Sequence, residues 1–515
     1  MSLSLPAPVT RRLDAFTGRW TMYRLTVILL LAVTAWSFVL SLTGALAYTP
    51  AELAATAVTA VISALVASRV MGLLFRTRPQ TDSSLITGLL LYFLLWPSTE
   101  GSALLTVALA AGAATVSKYV LVWRGRHIFN PAALGAAVLA LTGLGAAVWW
   151  VAAPLMLVAV LPAAAVILYR NRLLPMAGVF LLAAGVIITV RMVLAGEALP
   201  SALGILFASY PVVFFAGFML SEPLTLPPRR WQRLLEAGVV GVLFAVPLSA
   251  GPVFMSPELA LLAGNLLAFA LAPRTGIRLR LRENRALTPT ARELVFEPTR
   301  PLRFQPGQYV ELSIPHGTAD ARGTRRIFSL TTAPQDSGTV AVGLRAVEPA
   351  SSFKTALLKL KPGAVVSATS VAGDFLLPRD RTAPLLLIAS GVGITPFMSQ
   401  LRSLAAGGDG TGPGTVERDV VLVYAAASVD ELAYAAELHR MGIRVLVCTP
   451  TDPQISGWTY LGPGLPDAEG LASAVPDIAR RAVYVSGSPA AVAAARAAVR
   501  AAGGRSVRTD AFLGY

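Results

Sequence analysis

Residues 23–273 consist largely of long apolar runs, and this feature limits the fold more than any other. An α-helix rises about 1.5 Å per residue, so a run of about 20 apolar residues crosses a hydrocarbon core about 30 Å thick. The runs at 23–46, 52–75, 84–96, 102–122, 131–149, 152–169, 173–194, 203–220, 235–249 and 257–272 are the predicted spans. The sequence therefore predicts a polytopic α-helical membrane domain of about ten transmembrane helices over residues 1–275.

The connections between these runs alternate in charge. One set carries Arg11, Arg12, Arg19 and Arg24, then Arg76 and Arg78, Lys118, Arg124 and Arg126, Arg170 and Arg172, Arg229, Arg230 and Arg233, and finally Arg274, Arg278, Arg280 and Arg282. The other set, near Tyr48, Glu100, Trp150, Glu197 and Gly251, has no lysine or arginine. Because basic loops stay in the cytoplasm, we expect a multi-pass protein of the inner (cytoplasmic) membrane with both its N-terminus and its second half in the cytoplasm.

The formal net charge of +15 does not indicate a nucleic-acid partner, because most cations of the first half flank apolar runs. Anionic lipid accounts for cations in that position, so the expected partner is the lipid bilayer and no nucleic acid. The single cysteine, Cys448, excludes an iron–sulfur cluster within the chain. His127 is the only histidine before residue 276, which disfavours a haem with two histidine ligands. No metal site is predicted.

The periodicity changes after Ile277. Short runs of alternating apolar and polar residues predict an antiparallel β-barrel over residues 276–382. After Pro384 buried strands at 385–389, 420–424, 445–448 and 483–485 alternate with helices, two of which are expected to start at Val429 and Pro489. This pattern predicts a doubly wound parallel α/β domain over residues 383–515.

Three phrases of the membrane half resemble a known family when taken in order. They are Asp-Ser-Ser-Leu-Ile-Thr-Gly at 82–88, His-Ile-Phe-Asn-Pro-Ala-Ala-Leu-Gly at 127–135 and Phe-Met-Leu-Ser-Glu-Pro-Leu-Thr at 218–225. The family is the ten-helix subunit shared by the Rnf complex, as its D subunit, and the sodium-pumping NADH:quinone oxidoreductase, as its B subunit. The resemblance implies flavin binding or quinone reduction, with Asn130, Glu222 and Thr225 as candidate cofactor neighbours.

Two points leave the membrane ligand open. Asn130-Pro131 also suits an ordinary capped helix start, and the turn at Glu222 also suits ordinary helix termination. Family members with covalent FMN carry Ser-Gly-Ala-Thr before the eighth span, whereas residues 196–203 here contain no threonine. The expected occupant is a non-covalent flavin (FMN or riboflavin), a quinone, or none.

The motifs of the second half resemble the ferredoxin–NADP reductase superfamily. Pro306-Gly307-Gln308-Tyr309 is similar to the strand before its flavin, and Arg326-Ile327-Phe328-Ser329 is similar to its Arg-x-Tyr-Ser signature, with phenylalanine for tyrosine. A guanidinium such as that of Arg326 can donate two hydrogen bonds to the FAD pyrophosphate. The resemblance implies that Phe328 offers a flat face and that Ser329 lies near the flavin N5. It also makes Ser351, Ser352 and Phe353 a second flavin-phosphate loop.

The nucleotide motifs follow. Gly391-Val392-Gly393-Ile394-Thr395-Pro396 joins a predicted strand to a helix, and glycines there let the backbone approach a pyrophosphate. Ser486-Gly487-Ser488-Pro489 occupies the place of the family's Cys-Gly-Pro motif beside the nicotinamide. Near the C-terminus the resemblance implies an aromatic residue over the flavin, Phe512 first and Tyr515 second. Ser329, Ser486 and Phe512 are thus the expected catalytic residues.

The leading hypothesis is an oxidoreductase in which cytoplasmic NAD(P)H reduces FAD, and FAD passes electrons to a quinone or second flavin in the membrane domain. A redox-coupled ion-transport subunit with a partner redox subunit is one alternative, although acidic residues are essentially confined to the span ends. A transmembrane metal or oxygen reductase is the other. Residues 425–431 lack an arginine for a 2′-phosphate, which favours NADH.

Overall fold

The computed structural model describes residues 22–77, 79–123, 126–251, 253–271, 277–316, 324–336, 338–348, 350–407 and 415–512. The chain divides between residues 274 and 275 into two compact units. The first is helical and is called the helical unit below. The second contains two sheets and is called the reductase unit, after the superfamily that its motifs resemble.

The helical unit follows the predicted order of spans, with different bounds. Its longer helices are α1 Met22–Leu42, α2 Pro50–Leu74, α3 Thr81–Leu94, α4 Gly101–Val120, α5 Pro131–Thr142, α6 Leu157–Arg170, α7 Leu174–Leu194, α8 Leu199–Ala208, α9 Arg230–Ala245 and α10 Pro257–Leu271. Between α8 and α9 the chain forms one helical turn, Val212–Phe214, and a π-helical segment, Phe215–Met219.

Local chemistry explains where several of these helices start and stop. The Thr49 side chain accepts a hydrogen bond from the Glu52 N–H, while the Glu52 carboxylate accepts one from the Thr49 N–H, so a capping box begins α2. At α5 the Asn130 Oδ1 accepts from the Ala133 N–H at 3.1 Å, and Pro131 occupies the first turn. This helix ends at Gly143, whose φ of 71° is the left-handed conformation that glycine adopts readily.

Four helices of the described residues are long and apolar enough to cross a bilayer: α1, α2, α4 and α7. A fifth span results if α8 and the segment Val212–Met219 are counted together, although they are bent by 54°. The remaining apolar helices are shorter. The predicted span at 131–149 is wrong after residue 142, because Gly143 ends α5. The helix within the predicted span at 152–169 begins later than expected, because 3₁₀ turns at Trp150–Ala152 and Pro154–Met156 precede α6.

Small residues let the helices pack closely. A Cβ on Gly135 of α5 would lie 2.5 Å from the Ala110 carbonyl oxygen of α4. A Cβ on Gly217 of the π-helical segment would lie 2.4 Å from the Ala164 Cβ of α6. Real Cβ contacts are longer than this, so only glycine permits either approach.

The first sheet of the reductase unit is the predicted antiparallel barrel. Its strands are β1 Ile277–Ala286, β2 Ala291–Pro298, β3 Tyr309–Ser313, β4 Arg325–Ser329, β5 Val340–Arg345 and β6 Val365–Ala372, with helix α11 Ser352–Leu358 before β6. They pair in the order β4-β3-β6-β1-β2-β5, and a bridge between Leu330 and Val342 brings the two edges together. The apolar residues of the strands alternate inward, and Leu279, Phe296, Leu312 and Val342 are buried in the core.

The second sheet is parallel and doubly wound, as predicted. It contains β7 Leu385–Ser390, α12 Thr395–Ala406, β8 Val420–Ala425, α13 Ala435–Arg440, β9 Arg444–Cys448, β10 Trp458–Tyr460, α14 Ala468–Ala474, β11 Ala482–Gly487, α15 Pro489–Ala501 and β12 Val507–Ala511. The strand order is β10-β9-β8-β7-β11-β12. The expected helix from Val429 is wrong: a 3₁₀ turn, Val429–Glu431, comes first, and Tyr434 with a positive φ of 61° separates it from α13.

Candidate functional site

The predicted flavin residues of β3 and β4 lie side by side. Tyr309 and Ser329 are directly opposite each other in the antiparallel pair. Alternation along β4 buries Arg326 and Phe328 and leaves Ile327 57% exposed. Ile327 therefore lies on the opposite face of the strand from the arginine beside it.

The second predicted flavin loop packs against the first. The Phe328 and Phe353 rings are stacked with centroids 6.0 Å apart, and the Arg326 guanidinium carbon lies 5.3 Å from the Phe353 centroid. Such a cation–π contact holds a planar guanidinium in a fixed orientation. The structure thus brings Arg326, Phe328 and Phe353 together from two separate motifs.

A histidine that sequence reasoning missed completes this group. His316 Nε2 hydrogen-bonds with the Ser352 hydroxyl at 3.0 Å, and its Nδ1 hydrogen-bonds with the Ile314 carbonyl oxygen at 2.8 Å. The Ser351 hydroxyl accepts from the Lys354 N–H and caps α11. Because His316 lies 36 residues before Ser352, no local motif signals the contact.

The predicted nucleotide turn lies at the carboxyl ends of two adjacent parallel strands, β7 and β11. Residues Gly391–Ile394 form a 3₁₀ turn after β7, and Gly391 has a positive φ of 54°. A Cβ on Gly393 would lie 2.3 Å from the Ser486 carbonyl oxygen, and one on Gly487 would lie 2.9 Å from the Ser390 Cβ. Both glycines are required by this contact, so the motifs at 391–396 and 486–489 form one surface.

Two further observations concern this surface. Ser486 is 1% exposed, and its hydroxyl has no hydrogen-bond partner within the part of the chain that the structure describes. The Thr395 hydroxyl donates to the Val392 carbonyl oxygen at 2.9 Å and closes the turn before Pro396. A buried polar atom without a partner is unfavourable, and a ligand hydrogen bond is one explanation for it.

Phe512 lies beside the same surface, since its N–H donates to the Gly487 carbonyl oxygen at 2.8 Å. The second candidate, Tyr515, lies outside the described residues. The β-barrel also approaches the turn: a Cβ on Gly343 of β5 would lie 2.5 Å from the Thr395 Cγ2. The two sheets of the reductase unit therefore meet where the predicted flavin and nucleotide motifs lie.

A buried carboxylate that the sequence analysis did not identify joins the two sheets. Glu293 of β2 has a fully buried side chain. Its Oε1 accepts from the Thr331 hydroxyl at 2.6 Å and from the Tyr434 hydroxyl at 2.9 Å, and Arg285 donates to its Oε2. Burial by itself would raise the pKa of Glu293, but Arg402, Thr331 and Arg285 hold it below its ordinary value.

Arg402 of α12 extends this network. It donates to both carboxylate oxygens of Glu437 at 2.7 Å, to the Thr331 carbonyl oxygen at 2.8 Å and to Glu293 Oε1 at 3.4 Å. Burial would lower the pKa of Arg402, but the hydrogen bonds and charges of Glu437 and Glu293 raise it. Thr331 follows the last residue of β4, Ser329, by two residues, and Arg402 lies on α12, so the network fixes the end of β4 relative to α12.

A second carboxylate also links the two sheets. Glu431 Oε2 accepts from the Thr290 hydroxyl at 2.6 Å and from the Thr288 hydroxyl at 2.9 Å, while Oε1 accepts from the Thr290 N–H. The adjacent Asp430 is exposed. Asp430 is thus accessible to a ligand, whereas Glu431 is hydrogen-bonded to the β-barrel.

The helical unit contains a small polar recess with a volume of about 10 Å³, room for about one water molecule. Its walls are Tyr23, Ser83, Ile86, Thr87, Leu90, Lys118, His127, Asn130, Pro131, Ala132 and Glu222. Lys118 Nζ donates to the Ser83 carbonyl oxygen at 2.8 Å and to its hydroxyl at 3.0 Å. The structure therefore brings together the polar residues of the three sequence phrases that characterise the membrane half.

Two of the three predicted cofactor neighbours in this half line the recess. Asn130 is 1% exposed and is engaged by the protein, since its Nδ2 donates to the Met219 carbonyl oxygen at 3.0 Å. Glu222 is on the wall, whereas Thr225 is not; the Thr225 hydroxyl donates to the Glu222 carbonyl oxygen. Thr225 thus shapes the turn that carries Glu222.

The residues of the reductase unit fit a flavin and a dinucleotide. Gly393 and Gly487 allow the turn after β7 and the end of β11 to contact each other closely. The Ser486 hydroxyl is buried without a partner among the described residues. Across the unit, Arg326 supplies an oriented cation beside Phe353. Groups of three or more histidine, cysteine, aspartate or glutamate side chains able to hold a metal are absent from the described residues.

Comparison with known proteins agrees with this description. Residues 387–497 match the family model "Oxidoreductase NAD-binding domain". The chain is 29% identical over 203 residues to the ferredoxin reductase component of 3-ketosteroid-9-alpha-monooxygenase from Mycolicibacterium smegmatis, covering 39% of this chain and 53% of that protein. It is 34% identical over 139 residues to an NADPH oxidoreductase from Mycobacterium tuberculosis, covering 26% and 34%.

Ferredoxin–NADP reductase B from Sorangium cellulosum is 35% identical over 126 residues, covering 24% of this chain and 50% of that protein. The chain therefore spans about half or less of the length of these relatives. Among solved structures, the cytochrome P450 reductase from Amycolatopsis has a TM-score of 0.39 at 24% identity, with 47% of this chain and 70% of that chain covered. The FAD/NAD domain of nitric oxide dioxygenase from Vibrio cholerae has a TM-score of 0.38 at 21% identity, with 46% and 99% covered.

Proposed function

We propose that this protein is a membrane-bound flavin oxidoreductase. NAD(P)H reduces FAD in the reductase unit, and the electrons then pass to a quinone or a second, non-covalent flavin in the helical unit. The observation that carries the proposal is the buried Ser486 hydroxyl, which has no hydrogen-bond partner among the described residues and lies where the Gly393 and Gly487 turns meet. The match of residues 387–497 to the NAD-binding family supports it.

The chain's own residues have distinct tasks in this proposal. Arg326, with its plane set by Phe353, binds and orients the flavin pyrophosphate, and the Ser352–His316 pair shapes the loop beside it. FAD supplies the two-electron chemistry when bound. Ser486 accepts or donates a hydrogen bond at the nicotinamide carboxamide, and Ser329 lies near the flavin ring. The contact between Glu293 and Arg402 keeps the flavin site and the nicotinamide site at a fixed distance from each other.

The membrane placement rests on the surface of the helical unit. Along α2 the side chains of Val58, Ile62 and Val66 recur at helical spacing and are 54%, 53% and 56% exposed. An exposed apolar stripe of this length is unfavourable in water and is typical of a lipid-facing helix. With the positive loops, this supports an inner-membrane protein whose reductase unit is cytoplasmic. The similarity to the Rnf and sodium-pumping oxidoreductase subunits supports the same acceptor class.

The expected donor is NADH. Asp430 is exposed after β8, where a carboxylate can accept hydrogen bonds from a ribose 2′-hydroxyl and repel a 2′-phosphate. The segment from Ala425 to Glu431 contains no arginine that could bind that phosphate. We expect a higher kcat/KM for NADH than for NADPH, and the Asp430→Asn variant should lose part of that preference.

The decisive experiment uses the purified full-length protein in detergent. Absorbance and mass analysis are expected to show FAD, NADH is expected to bleach it, and a short-chain quinone is expected to reoxidise it faster than oxygen does. Two flavins per chain would indicate a flavin in the helical unit, whereas one would indicate direct reduction of quinone by FAD. A protein without flavin, or one with a sharp haem Soret band, would contradict the proposal.

A further inference from the structure

The outer side of the β-barrel carries a group of arginines on its first strand. Arg278, Arg280 and Arg282 occupy every second position of β1 and are exposed. Leu279 and Leu281, which lie between them, are buried in the core of the β-barrel. In the sequence these arginines belong to the positive connection after the last predicted span. The structure instead makes them part of a hydrogen-bonded sheet, which holds them in fixed positions.

The register of the sheet places other exposed residues beside these arginines. Arg280 lies opposite Val365 of β6 and Glu297 of β2. Arg278 lies opposite Ser367 of β6. Opposite residues of paired strands have their side chains on the same side of the sheet, and Val365 is 53% exposed. An apolar side chain is thus presented to solvent between cations.

A lysine borders the same group. Lys361 is exposed and lies two residues before Gly363, whose N–H donates to the Leu281 carbonyl oxygen at 2.7 Å. Lys361 is therefore close to Arg282 at one end of the group. The arginine face consists of Arg278, Arg280, Arg282, Lys361 and Val365. Two exposed carboxylates, Glu283 and Glu297, lie beside its four cations, so the face keeps an excess of positive charge.

The arginine face is also close to the helical unit along the chain. Helix α10 ends at Leu271, and Arg278 follows seven residues later. An extended chain spans at most about 3.6 Å per residue, so the chain keeps Arg278 within about 25 Å of the end of α10. The alternating charge of the connections predicts that this end of α10 is cytoplasmic. Anionic headgroups of the cytoplasmic leaflet are therefore within reach of the arginine face.

We propose that the arginine face docks the reductase unit on anionic lipid headgroups of the membrane that holds the helical unit. The inference rests on the proposed membrane placement and adds how the reductase unit is held at the surface. Guanidinium groups donate charge-assisted hydrogen bonds to phosphate oxygens, and clusters of about four to eight cations next to a span bind anionic lipid. Val365 enters the headgroup layer between the cations.

The position of the face within the sheet favours lipid over an acidic protein that accepts electrons. Such a protein must approach the flavin, and the predicted flavin residues lie on β3 and β4. In the order β4-β3-β6-β1-β2-β5, two strands separate β1 from β4. Lipid bound at the arginine face therefore leaves the flavin motif of β4 uncovered. The short connection to α10 also keeps the face at a high effective concentration beside the bilayer.

The test is resonance energy transfer in vesicles that contain the full-length protein. A donor dye is attached to Ser367→Cys, because Ser367 is exposed opposite Arg278, and an acceptor dye is carried by headgroup-labelled lipid. The native Cys448 is buried and should not take the dye. Transfer should be stronger in vesicles of phosphatidylcholine with phosphatidylglycerol than in phosphatidylcholine alone, and added salt should reduce the difference.

The variant that removes the arginine face combines Arg278→Gln, Arg280→Gln and Arg282→Gln. Its docking equilibrium constant on the anionic vesicles should fall about a hundredfold, because each cation near such a surface contributes about fivefold. The matched control replaces three exposed arginines of the second sheet and its helices by glutamine and should behave as the parent does. These arginines are Arg440, Arg500 and Arg505.

The inference is overturned if lipid charge does not change the energy transfer of the parent, if the β1 variant keeps the response, or if the control loses it equally. Unchanged transfer together with slower reduction of an added acidic ferredoxin by the β1 variant would assign the face to a protein partner instead. A protein that does not float with the vesicles would refute the membrane placement and this inference with it. Docking without any quinone reduction would support the inference and refute the proposed acceptor.

Discussion

Arg326 illustrates how single residues would define the proposed flavin site. Arg326 is 3% exposed, and its guanidinium carbon lies 5.3 Å from the Phe353 ring centroid. A charged group held in this way costs desolvation energy that an anionic ligand can offset. Phe328 stands where the resembled signature has tyrosine, and its ring stacks on the same Phe353 ring.

We expect Arg326→Ala to lose FAD, because the charge-assisted hydrogen bonds to the pyrophosphate disappear together with the cation–π contact. Dialysis followed by flavin fluorescence measures the retained cofactor. Arg345→Ala is a suitable control, since Arg345 is an exposed arginine at the end of β5 in the same barrel. Full flavin retention by Arg326→Ala would show that Arg326 does not bind the flavin.

At the scale of elements, the site depends on how closely strand ends and turns approach one another. The 3₁₀ turn after β7 contacts the end of β11, and the β-barrel contacts the start of α12 through Gly343 and Thr395. The Glu293–Arg402 network then fixes the β-barrel to α12. The flavin and nucleotide motifs are thus held by packing between elements that are remote in sequence.

Gly393→Ala tests the first of these contacts. The new Cβ would meet the Ser486 carbonyl oxygen at 2.3 Å, so the turn must move and the KM for NADH should rise by at least about tenfold, equivalent to about 1.4 kcal/mol. FAD content should not change. Gly391→Ala is the control: its Cβ meets open space, and its positive φ costs about 1 kcal/mol in backbone strain. Equal effects on KM in both variants would argue against the steric explanation.

Glu293→Gln tests the network between the two sheets. The variant should destabilise the reductase unit at neutral pH by about 3 kcal/mol, because Arg285 and Arg402 lose a buried charged partner. Thermal release of FAD, followed by fluorescence in the full-length protein, measures the difference. Ala substitution of Glu297, an exposed glutamate on the same strand, should have little effect.

The stability difference between the parent protein and Glu293→Gln should depend on pH. Since the folded pKa of Glu293 is depressed below its unfolded value, its contribution is fully present above the unfolded pKa. It is lost as the pH falls through the folded pKa, because the parent carboxyl is then protonated as well. The difference in stability between parent and Glu293→Gln should therefore vanish in acid, and a difference that grows in acid would contradict the depressed pKa.

At the scale of the whole molecule, the chain joins a lipid-compatible helical unit to a reductase unit. Among the described residues four helices are long enough to cross a bilayer, and the shorter apolar helices reach less far at about 1.5 Å per residue. The alternation of positive and uncharged connections nevertheless gives a definite expectation for topology. Both ends of the chain and every arginine-rich connection should face the cytoplasm.

Single-cysteine labelling in intact cells tests this topology. A membrane-impermeant maleimide should modify a cysteine at Glu100 or Glu197 and should spare one at Arg172 until the membrane is opened. The native Cys448 should not interfere, because it is 0% exposed and burial raises the pKa of its thiol to about 11. Labelling of Arg172→Cys from outside would reverse the predicted orientation.

Much of this organisation could be predicted from the sequence because it depends on local patterns. The strands of both sheets follow from the two-residue alternation and from buried apolar runs, and the glycine turn at 391–396 follows from its position between a strand and a helix. The helix bounds were less accurate where a single backbone conformation decides them. Gly143 ended α5 early, and Tyr434 with its positive φ divided the helix expected from Val429.

The sequence by itself determined the two kinds of unit, the positions of the flavin and nucleotide motifs, and the absence of cysteines for an iron–sulfur cluster. Only the tertiary structure decided which polar residues meet. Glu293 contacts Arg402 and Tyr434 across 109 and 141 residues, and Asn130 contacts Asn265 across 135. The physical reason is that hydrophobic patterning is repeated along the chain and can be recognised locally, whereas a buried hydrogen bond depends on two side chains that folding alone brings together.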